Sequence, residues 1–509
     1  MSDVLSSLVR IKNYLRLKQI DHFRRNPEEV QAGVLSDLIN KAGLTEFGCN
    51  YNFKSIKSPE DFGKHVPLQS YEEIHPWIEK ARQGRKNILW PGVTGWFARS
   101  SGTTNDRSKF IPVSAEGLKR NHYRGGEDVI AVYLDNNRNS RIFSGKTMTL
   151  GGSHQVDKDN AGSHYGDLSA IMIQNVPGWA DIFRTPSSKI ALIPEWEKKL
   201  SAMTDIVLKN NVTAFAGVPS WNLVLLKHLL NHTGKNDISE IWPNLELFIH
   251  GGVGFEPYRA QYHSIISSQD MHYMETYNAS EGFFALQDDP ADTDMLLMLD
   301  IGVYYEFIPI SEINKPEPRA IPVWEVKTGV NYVIVISTCS GLWRYIIGDT
   351  VKFSSVSPYK LKITGRTKHF INVFGEELMI ENAETALQDA CRTTGAIIHE
   401  YTAGPVYMDI NNNGAHEWLI EFETEPSSID IFTTEMDNAL CRLNSDYEAK
   451  RDQNITLRKP IVKSIPKGTF YKWMTIRGKL GGQNKVPRLS NDRSYLDAIL
   501  IEINNKNQE

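Results

Sequence analysis

Residues 99–112 read Arg-Ser-Ser-Gly-Thr-Thr-Asn-Asp-Arg-Ser-Lys-Phe-Ile-Pro, and no other stretch says more about the fold. Hydroxyl residues surround one glycine and a lysine follows, at Ser100, Ser101, Gly102, Thr103, Thr104 and Lys109. Hydroxyls and free backbone N–H groups in a tight loop form a concave surface that binds phosphate oxygens, and a lysine adds positive charge. The stretch therefore predicts a phosphate-binding loop. The alternative is an ordinary polar turn between a strand and a helix.

The composition is that of a globular chain in a reducing compartment. Of 509 residues, 41% are hydrophobic and 23% are charged, and this length predicts roughly two to four domains. The net charge of −5 gives no support for a nucleic-acid or anionic-membrane partner. The cysteines are far apart, at Cys49, Cys339, Cys391 and Cys441, which argues against a zinc knuckle or disulfide framework. With no signal peptide and no long apolar run, the sequence predicts a cytoplasmic protein.

The apolar spacing predicts an α/β fold. Residues 3–45 show helical spacing and predict two or three amphipathic helices joined near Asn26-Pro27, whereas the prolines of 46–98 predict a loop-rich segment. Strands and helices then alternate, which favours an α/β layer fold. The predicted strands are 213–218, 245–250, 331–338 and 352–354, and the predicted helices are 114–135, 195–210, 219–232 and 256–267. Residues 295–337 predict consecutive strands of a second, antiparallel sheet.

A change of pattern after Gly365-Arg366-Thr367-Lys368 predicts a domain boundary that separates residues 1–366 from residues 367–509. Beyond it, short strands and helices predict a small α+β domain. Its predicted elements are strand 370–373, helix 380–391, strands 395–401, 406–410 and 417–423, helix 428–444, strand 459–464 and helix 494–503.

The motif at residues 277–282, Tyr-Asn-Ala-Ser-Glu-Gly, has residue types suited to a nucleotide. The Tyr277 ring can stack on a base, and the Ser280 hydroxyl can contact a phosphate oxygen. The Glu281 carboxylate can bind Mg²⁺, which usually bridges to phosphates. The alternative is a strand end with an exposed glutamate.

Two later motifs have the same double interpretation. Asp349 follows a glycine within residues 343–349, where a carboxylate suits the two hydroxyls of a ribose. Gly-Asp is also a common turn. Lys485 lies in the Gly-rich segment 478–488, which suits a positive charge that moves in and out of a site. The alternative is a solvated basic loop.

Together and in this order, the motifs resemble those of the adenylate-forming superfamily, and most closely its auxin-responsive acyl-acid amido synthetases, including their bacterial-type homologues. Ser100 to Lys109 spans ten residues, as in the amido synthetases, whereas the usual superfamily motif spans nine. Asn105 departs from the pattern, because it stands near the place of a loop glycine. Lys368 stands two residues after Gly-Arg, at the hinge position where the superfamily usually has aspartate or lysine. The matching segments are 45–51, 61–71, 100–109, 216–220, 242–245, 277–282, 344–349 and 485–488.

The resemblance implies a large N-terminal adenylate-forming domain of mixed sheets flanked by helices, and a small mobile C-terminal domain that rotates about the hinge. It implies a ligase that uses ATP and Mg²⁺, a small-molecule carboxylic acid and an amine, in particular that of an amino acid. The acid is first converted to an acyl-adenylate, and the amine then displaces AMP. The expected state is a monomer or weak homodimer. The alternatives are an acyl-CoA ligase and a non-catalytic nucleotide-binding sensor.

The resemblance also implies residue roles. Residues 100–104 and Lys109 hold the β- and γ-phosphates, Ser280 meets the α-phosphate, Glu281 holds Mg²⁺, and Tyr277 stacks near adenine. In the second part of the chain, Asp349 takes the ribose hydroxyls, Arg366 lies near the ribose or phosphate, and Lys485 bridges the carboxylate and the α-phosphate during adenylation.

For the acyl acid, the resemblance implies that Gly251-Gly252 lines the pocket, because the absence of side chains lets substrate approach the backbone. Arg120 and Arg124, on the helix after the phosphate loop, are candidates to face the acyl carboxylate. The alternative for both is a solvated arginine. His122, His154 and His164 lack metal-ligand spacing and receive no role.

Overall fold

A computed structural model describes most of the chain as two units, each with its own core. The first consists of Met1–Ile347, Val351–Lys362 and Gly481–Gln483, and the second of Gly348–Thr350, Ile363–Leu480 and Asn484–Glu509. The predicted α/β class, with a large N-terminal and a smaller C-terminal part, is confirmed; the boundary after residue 366 stays a prediction. The described residues are 2–100, 109–151, 157–158, 162–176, 178, 180–193, 196–252, 255–313, 315–366, 370–371, 376, 378–407, 414–444, 447–448, 451, 457–477, 485–490 and 492–506.

The helices are α1 (Ser2–Arg25), α2 (Pro27–Ala42), α3 (Glu46–Asn50), α4 (Pro59–His65), α5 (Tyr71–Arg82), α6 (Ala115–Gly117), α7 (Tyr123–Asn136), α8 (Leu168–Gln174), α9 (Ser188–Ala191), α10 (Trp196–Val207), α11 (Pro219–Thr233), α12 (Glu256–Ile265), α13 (Ile380–Thr394), α14 (Ile429–Leu443), α15 (Thr469–Ile476) and α16 (Ser494–Lys506). A π-helical turn, Leu118–His122, joins α6 to α7. Across the described residues, we find no helix with the length and apolar character needed to cross a bilayer.

The strands are β1 (Trp96–Ser100), β2 (Lys109–Val113), β3 (Lys146–Thr149), β4 (Asp157–Lys158), β5 (His164–Gly166), β6 (Arg184–Thr185), β7 (Val212–Gly217), β8 (Leu247–Gly251), β9 (His272–Ala279), β10 (Gly282–Gln287), β11 (Met295–Leu297), β12 (Val303–Pro309), β13 (Ile321–Pro322), β14 (Asn331–Thr338), β15 (Tyr345–Val356), β16 (Tyr359–Arg366), β17 (Phe370–Ile371), β18 (Leu378–Met379), β19 (Ile397–Val406), β20 (Ala415–Thr424) and β21 (Ile461–Ile465).

A mixed sheet of 12 strands organises the first unit, in the order β13-β12-β14-β15-β16-β11-β10-β9-β8-β7-β3-β6. Strands β9, β8, β7, β3 and β6 pair in parallel, and helices intervene along the chain between several of them. The pairs β9–β10, β10–β11 and β12–β14 are antiparallel. The strands of residues 295–337 are thus antiparallel as predicted, but the prediction of a second sheet is wrong, because they belong to the same 12-stranded sheet as the parallel strands. A second sheet has the order β2-β1-β5-β4. The parallel strands matter most for function, because ligands of open α/β sheets bind at their carboxyl ends.

Pro76 does not break the chain as the sequence predicted, because it lies inside helix α5. The Ser70 side chain accepts from the Glu73 N–H, and the Glu73 carboxylate accepts from the Ser70 N–H, so the helix begins with a complete capping box. Ile74 and Ile78 are fully buried on one face. The cap and this burial offset the hydrogen bond that proline cannot donate.

The second unit has a three-stranded sheet, β19-β20-β21, with helices α13 and α14 in contact with each other. Two strands predicted at 395–401 and 406–410 are one strand up to Val406; residues 408–410 lie outside the described residues. Pro405 is accommodated because β19 is an edge strand of this sheet, where proline is tolerated. Helix α15 was not predicted.

Candidate nucleotide and acyl site

The parallel strands β7, β8 and β9 end side by side. Their carboxyl ends bring two of the predicted motifs close together. Gly217 of β7 pairs with His250 of β8, and Gly251 of β8 pairs with Thr276 of β9. A Cβ on Gly251 would lie 2.4 Å from the Thr276 carbonyl oxygen, so the close approach of the two strand ends requires glycine. Gly252 has φ of +81°, which also favours glycine. The Gly251-Gly252 pair therefore lies at the carboxyl ends of the parallel strands, where ligands bind in such folds.

The motif at residues 277–282 includes the tight turn between β9 and β10, which lies at the carboxyl end of the parallel strand β9. Ala279 pairs with Gly282, which leaves Ser280 and Glu281 as the two turn residues. Ser280 is buried and Glu281 is half-buried. Tyr277 is only 4% exposed and packs edge-to-face on Phe284, with 4.9 Å between ring centroids. The turn thus places a hydroxyl and a carboxylate next to each other, and Tyr277 lies in the packed layer beneath them.

The helical segment that follows the phosphate loop holds this turn in place through Asn121. The Asn121 side chain donates to the carbonyl oxygens of Phe283 (3.0 Å) and Ile301 (3.1 Å) and accepts from the Phe283 N–H (2.7 Å). Asn121 belongs to the π-helical turn, a local geometry frequently found at functional sites. Sequence reasoning missed this contact, because a polar residue within an amphipathic helix carries no signal for a distant strand.

His122, the last residue of the π-helical turn, also reaches the turn between β9 and β10. It is 3% exposed and hydrogen-bonds the side chain of Asn278. Burial lowers the pKa of His122 to about 4, so the ring is neutral at pH 7. We therefore assign it a packing and hydrogen-bonding role in the site, which its sequence spacing did not indicate.

Only the two ends of the predicted phosphate loop fall in the described part of the chain. Ser101, Gly102, Thr103 and Thr104 lie outside it. Ser100 and Lys109 face each other as the last register pair of the antiparallel strands β1 and β2. The stretch therefore lies between two paired strands, and not between a strand and a helix as the alternative interpretation held.

Tyr71, the first residue of α5, supports the Lys109 end of that hairpin. Its hydroxyl oxygen accepts from the Phe110 N–H at 2.8 Å, and its ring centroid lies 5.2 Å from the Lys109 Nζ. A cation over an aromatic face is held electrostatically without losing its charge. The sequence showed Tyr71 only as part of a family-like segment, and gave no sign of this contact.

The two arginines considered for the acyl carboxylate already have carboxylate partners. Arg120 pairs with Asp37 of α2 and, at 3.3 Å, with Glu116. Arg124 lies 3.4 Å from Glu127, and the two side chains are 42% and 45% exposed. A substrate carboxylate would have to displace these partners, which makes a role for either arginine costly; both assignments stay predictions.

The remaining candidates belong to the second unit. Asp349 is buried within β15, and Gly348 before it has φ of +88°. Arg366 is the last residue of β16. Lys485 is exposed at the start of the described segment 485–490. The roles assigned to these residues stay predictions.

The donor set of the first unit fits a magnesium ion that is held mainly by phosphates. The described residues contain no group of three or more His, Cys, Asp or Glu able to hold a metal by themselves. Mg²⁺ in nucleotide sites typically uses one or two protein carboxylates and completes its shell with phosphates and waters. The half-buried carboxylate of Glu281 in the turn between β9 and β10 fits that requirement.

Comparison with known protein families shows which family the chain belongs to. The GH3 family N-terminal domain matches residues 16–271, the GH3 family central domain residues 296–366, and the GH3 family C-terminal domain residues 381–494. The chain belongs to the GH3 family. The predicted relation to the auxin-responsive acyl-acid amido synthetases is therefore confirmed as homology to GH3 acyl acid amido synthetases.

The GH3 chain has full-length relatives among plant enzymes. It is 22% identical to "Indole-3-acetic acid-amido synthetase GH3.3" of Arabidopsis thaliana, with 94% of this chain and 92% of the relative covered. It is also 22% identical to "4-substituted benzoates-glutamate ligase GH3.12" of the same plant, with 92% of this chain and 94% of the relative covered. The predicted class, a ligase of acids and amino acids, is confirmed at the level of these homologues.

The fold of this GH3 protein also matches a solved structure of the family. "AtGH3.15 acyl acid amido synthetase in complex with 2,4-DB" superimposes with a TM-score of 0.80 at 16% identity, covering 96% of this chain and 95% of that one. At this identity the likeness establishes the fold. Both parts of the chain are included in it.

Proposed function

We propose that this GH3 protein is an ATP-dependent acyl-acid amido synthetase that joins a small carboxylic acid to the amine of an amino acid. The observation that best supports the proposal is the full-length relation to amido synthetases, together with the motifs gathered at the carboxyl ends of β8 and β9. A carboxylate is a poor acylating agent because its oxygen is a poor leaving group. Activation as an adenylate removes that obstacle.

In the first step, one oxygen of the carboxylate attacks the α-phosphorus of ATP, and the bond to the β-phosphate oxygen breaks. The products are the acyl-adenylate and pyrophosphate. Two anions must approach each other, so preorganised donors and cations supply most of the stabilisation. We assign the pyrophosphate end to residues 100–104 and Lys109, and the α-phosphate to Ser280 and the turn that holds it.

The second unit supplies the remaining groups in this proposal. Lys485 neutralises the carboxylate and the α-phosphate as they meet, Asp349 accepts the ribose hydroxyls, and Arg366 lies near the ribose or phosphate. A bound Mg²⁺, held by Glu281 and the phosphates, would screen the phosphate charge.

In the second step, the unprotonated amine attacks the acyl carbonyl carbon, the bond to the AMP oxygen breaks, and the amine loses a proton. Gly251-Gly252 lines the acyl group in this proposal, and its bare backbone lets the substrate lie against the strand end. Lys485 has no task in this step, since AMP is already a good leaving group.

A product screen tests the proposal. The full chain is incubated with ATP, Mg²⁺ and a panel of acids that includes indole-3-acetic acid and benzoic acid, with either the 20 amino acids or coenzyme A as acceptor. We expect ATP-dependent amides, detected by mass spectrometry, and AMP as the nucleotide product. A thioester without any amide would show an acyl-CoA ligase.

Carboxylate-dependent exchange of labelled pyrophosphate into ATP separates the enzyme from a nucleotide sensor. The exchange requires only the first step and needs no amine. Exchange with at least one acid of the panel supports the proposal, and binding of ATP without exchange for any acid contradicts it.

A further inference from the structure

The segment that carries Lys485 is fixed to the edge of the sheet in the second unit. The Ala403 N–H donates to the Arg488 carbonyl oxygen at 2.8 Å, and the Ser490 N–H donates to the Ala403 carbonyl oxygen at 3.0 Å. The Thr402 hydroxyl donates to the Pro487 carbonyl oxygen at 2.6 Å. Residues 487–490 therefore run alongside β19 as a short bridge, parallel to it.

Burial secures the same segment on both sides of Arg488. Val486 is 7% exposed and Leu489 is fully buried, whereas Lys485 is exposed. Consecutive Cα atoms are about 3.8 Å apart, so the Lys485 Cα lies within about 11 Å of the Arg488 Cα. Lys485 is thus an exposed residue whose backbone directly precedes a buried, hydrogen-bonded segment.

Arg488 supplies the side-chain part of the anchor. Its guanidinium forms an ion pair with Glu400, and both side chains are mostly buried, with 15% and 17% exposed. The guanidinium carbon also lies 4.5 Å from the centroid of the Tyr401 ring, which stacks on Trp418 at 5.9 Å. A planar guanidinium suits a carboxylate on one edge and an aromatic ring on its face, which the ammonium of lysine does not match.

A second carboxylate adds to the field on Arg488. Burial raises the pKa of Glu384 and of Glu400, and the charge of Arg488 acts against that shift at both residues. Arg488 is therefore a cation shared by carboxylates from α13 and β19.

We propose that Arg488 is a positioning residue that holds Lys485 for the adenylation step, an inference that rests on the proposed function. Lysine is a point charge on a flexible stem, so its effect on a transition state depends on where its backbone is fixed. Loss of the anchor leaves the charge of Lys485 intact but reduces the fraction of molecules that present it correctly. The transfer step, in which Lys485 has no task, is spared.

The test compares the two half-reactions in the full chain. Arg488→Gln is measured by pyrophosphate exchange with the panel acid that exchanges fastest, and by amide formation from the chemically prepared acyl-adenylate of that acid. We expect kcat for exchange to fall by about 10- to 100-fold, with KM for ATP and the transfer rate near the wild-type values. Arg488→Lys keeps the charge and should recover part of the exchange rate, and it serves if Arg488→Gln does not fold.

Arg493→Gln is the matched control. Arg493 donates to the carbonyl oxygen of Pro405 in β19 at 3.0 Å and pairs with buried Glu417 at 2.7 Å, but it lies eight residues from Lys485. It should leave exchange unchanged. An equal loss in Arg493→Gln, a loss of both half-reactions in Arg488→Gln, or a raised KM for ATP with kcat kept would overturn the inference.

Lys485→Ala separates this inference from the proposed function. If Lys485→Ala keeps wild-type exchange, the proposed role of Lys485 is wrong. If Lys485→Ala loses exchange while Arg488→Gln keeps it, only the positioning role of Arg488 is wrong.

Discussion

At the scale of single residues, Lys485 has the largest proposed effect on the adenylation rate. We expect Lys485→Ala to lower carboxylate-dependent pyrophosphate exchange by about 10²–10³-fold, as loss of one preorganised electrostatic group does in other enzymes. Amide formation from prepared acyl-adenylate should keep its rate. Lys472→Ala, an exposed lysine of α15 in the same unit, is the control. Equal loss of both half-reactions in Lys485→Ala would contradict the assignment.

His250 makes stability depend on pH. It is 3% exposed at the end of β8, stacked on Phe255 at 4.2 Å, and burial lowers its pKa to about 3. An unfolded chain takes up this proton near pH 6.5, so stability falls as the pH drops below about 6.5, by at most about 1.4 kcal/mol per unit.

His250→Phe should remove this contribution, since a phenyl ring can stack in the same place and takes up no proton. Thermal midpoints measured between pH 4 and pH 7 should fall less steeply for His250→Phe than for the wild type. His122 contributes in the same direction, so the variant keeps some slope. Parallel curves for the two proteins would contradict the argument.

At the scale of elements, the arginine of one buried ion pair connects the C-terminal end of α4 to the large sheet. Arg344, with φ of +43°, donates to both Glu306 carboxylate oxygens at 2.8 and 2.9 Å, and to the carbonyl oxygens of Gly63 and Val66. Arg344→Met leaves the Glu306 carboxylate buried without its partner. Such a loss costs about 3–5 kcal/mol, and we expect a clear fall in the thermal midpoint.

An exposed pair of the same length is the control for that prediction. Arg319 lies 2.9 Å from Glu325, but the side chains are 73% and 43% exposed. Arg319→Met should change stability by less than about 1 kcal/mol, because water screens the pair. Similar midpoints for Arg344→Met and Arg319→Met would contradict the importance of burial.

The approach of β8 to β9 gives a second prediction about elements. Gly251→Ala places a Cβ 2.4 Å from the Thr276 carbonyl oxygen, so the strand ends must separate. We expect a loss of pyrophosphate exchange together with a lower thermal midpoint. Gly126→Ala in α7 meets no atom within 4 Å and should raise stability by up to about 1 kcal/mol. An unchanged rate of pyrophosphate exchange in Gly251→Ala would contradict a role for this end of β8 in the site.

The sequence predicted many elements, and the failures have local causes. Apolar spacing located α2 and α11 because each buries one regular face, and a continuous apolar run located β14 because it is buried on both faces. Pro76 misled the prediction of a loop-rich segment, since the capping box of α5 offsets the cost of a proline inside the helix. The contacts of Tyr71, Asn121 and Arg488 could not be predicted from the sequence, because each joins residues that are far apart in the chain and leaves no local pattern.

At the scale of the whole molecule, the family motifs predicted the family, which composition and periodicity did not. Composition only excluded classes of partner, whereas the order and spacing of four short motifs identified the family that domain comparison then established. Within the first unit, the fold brings Gly251-Gly252 and the turn with Ser280 and Glu281 to neighbouring strand ends. Asp349, Arg366 and Lys485 belong to the second unit.

The central claim is that the carboxylate attacks the α-phosphorus before the amine attacks the acyl group. It is tested most directly with an acid of the panel whose two carboxylate oxygens are ¹⁸O. The account predicts that amide formation leaves one ¹⁸O in the amide carbonyl and transfers the other to the phosphate of AMP. Unlabelled AMP, or ADP formed together with ¹⁸O-labelled inorganic phosphate, would contradict it.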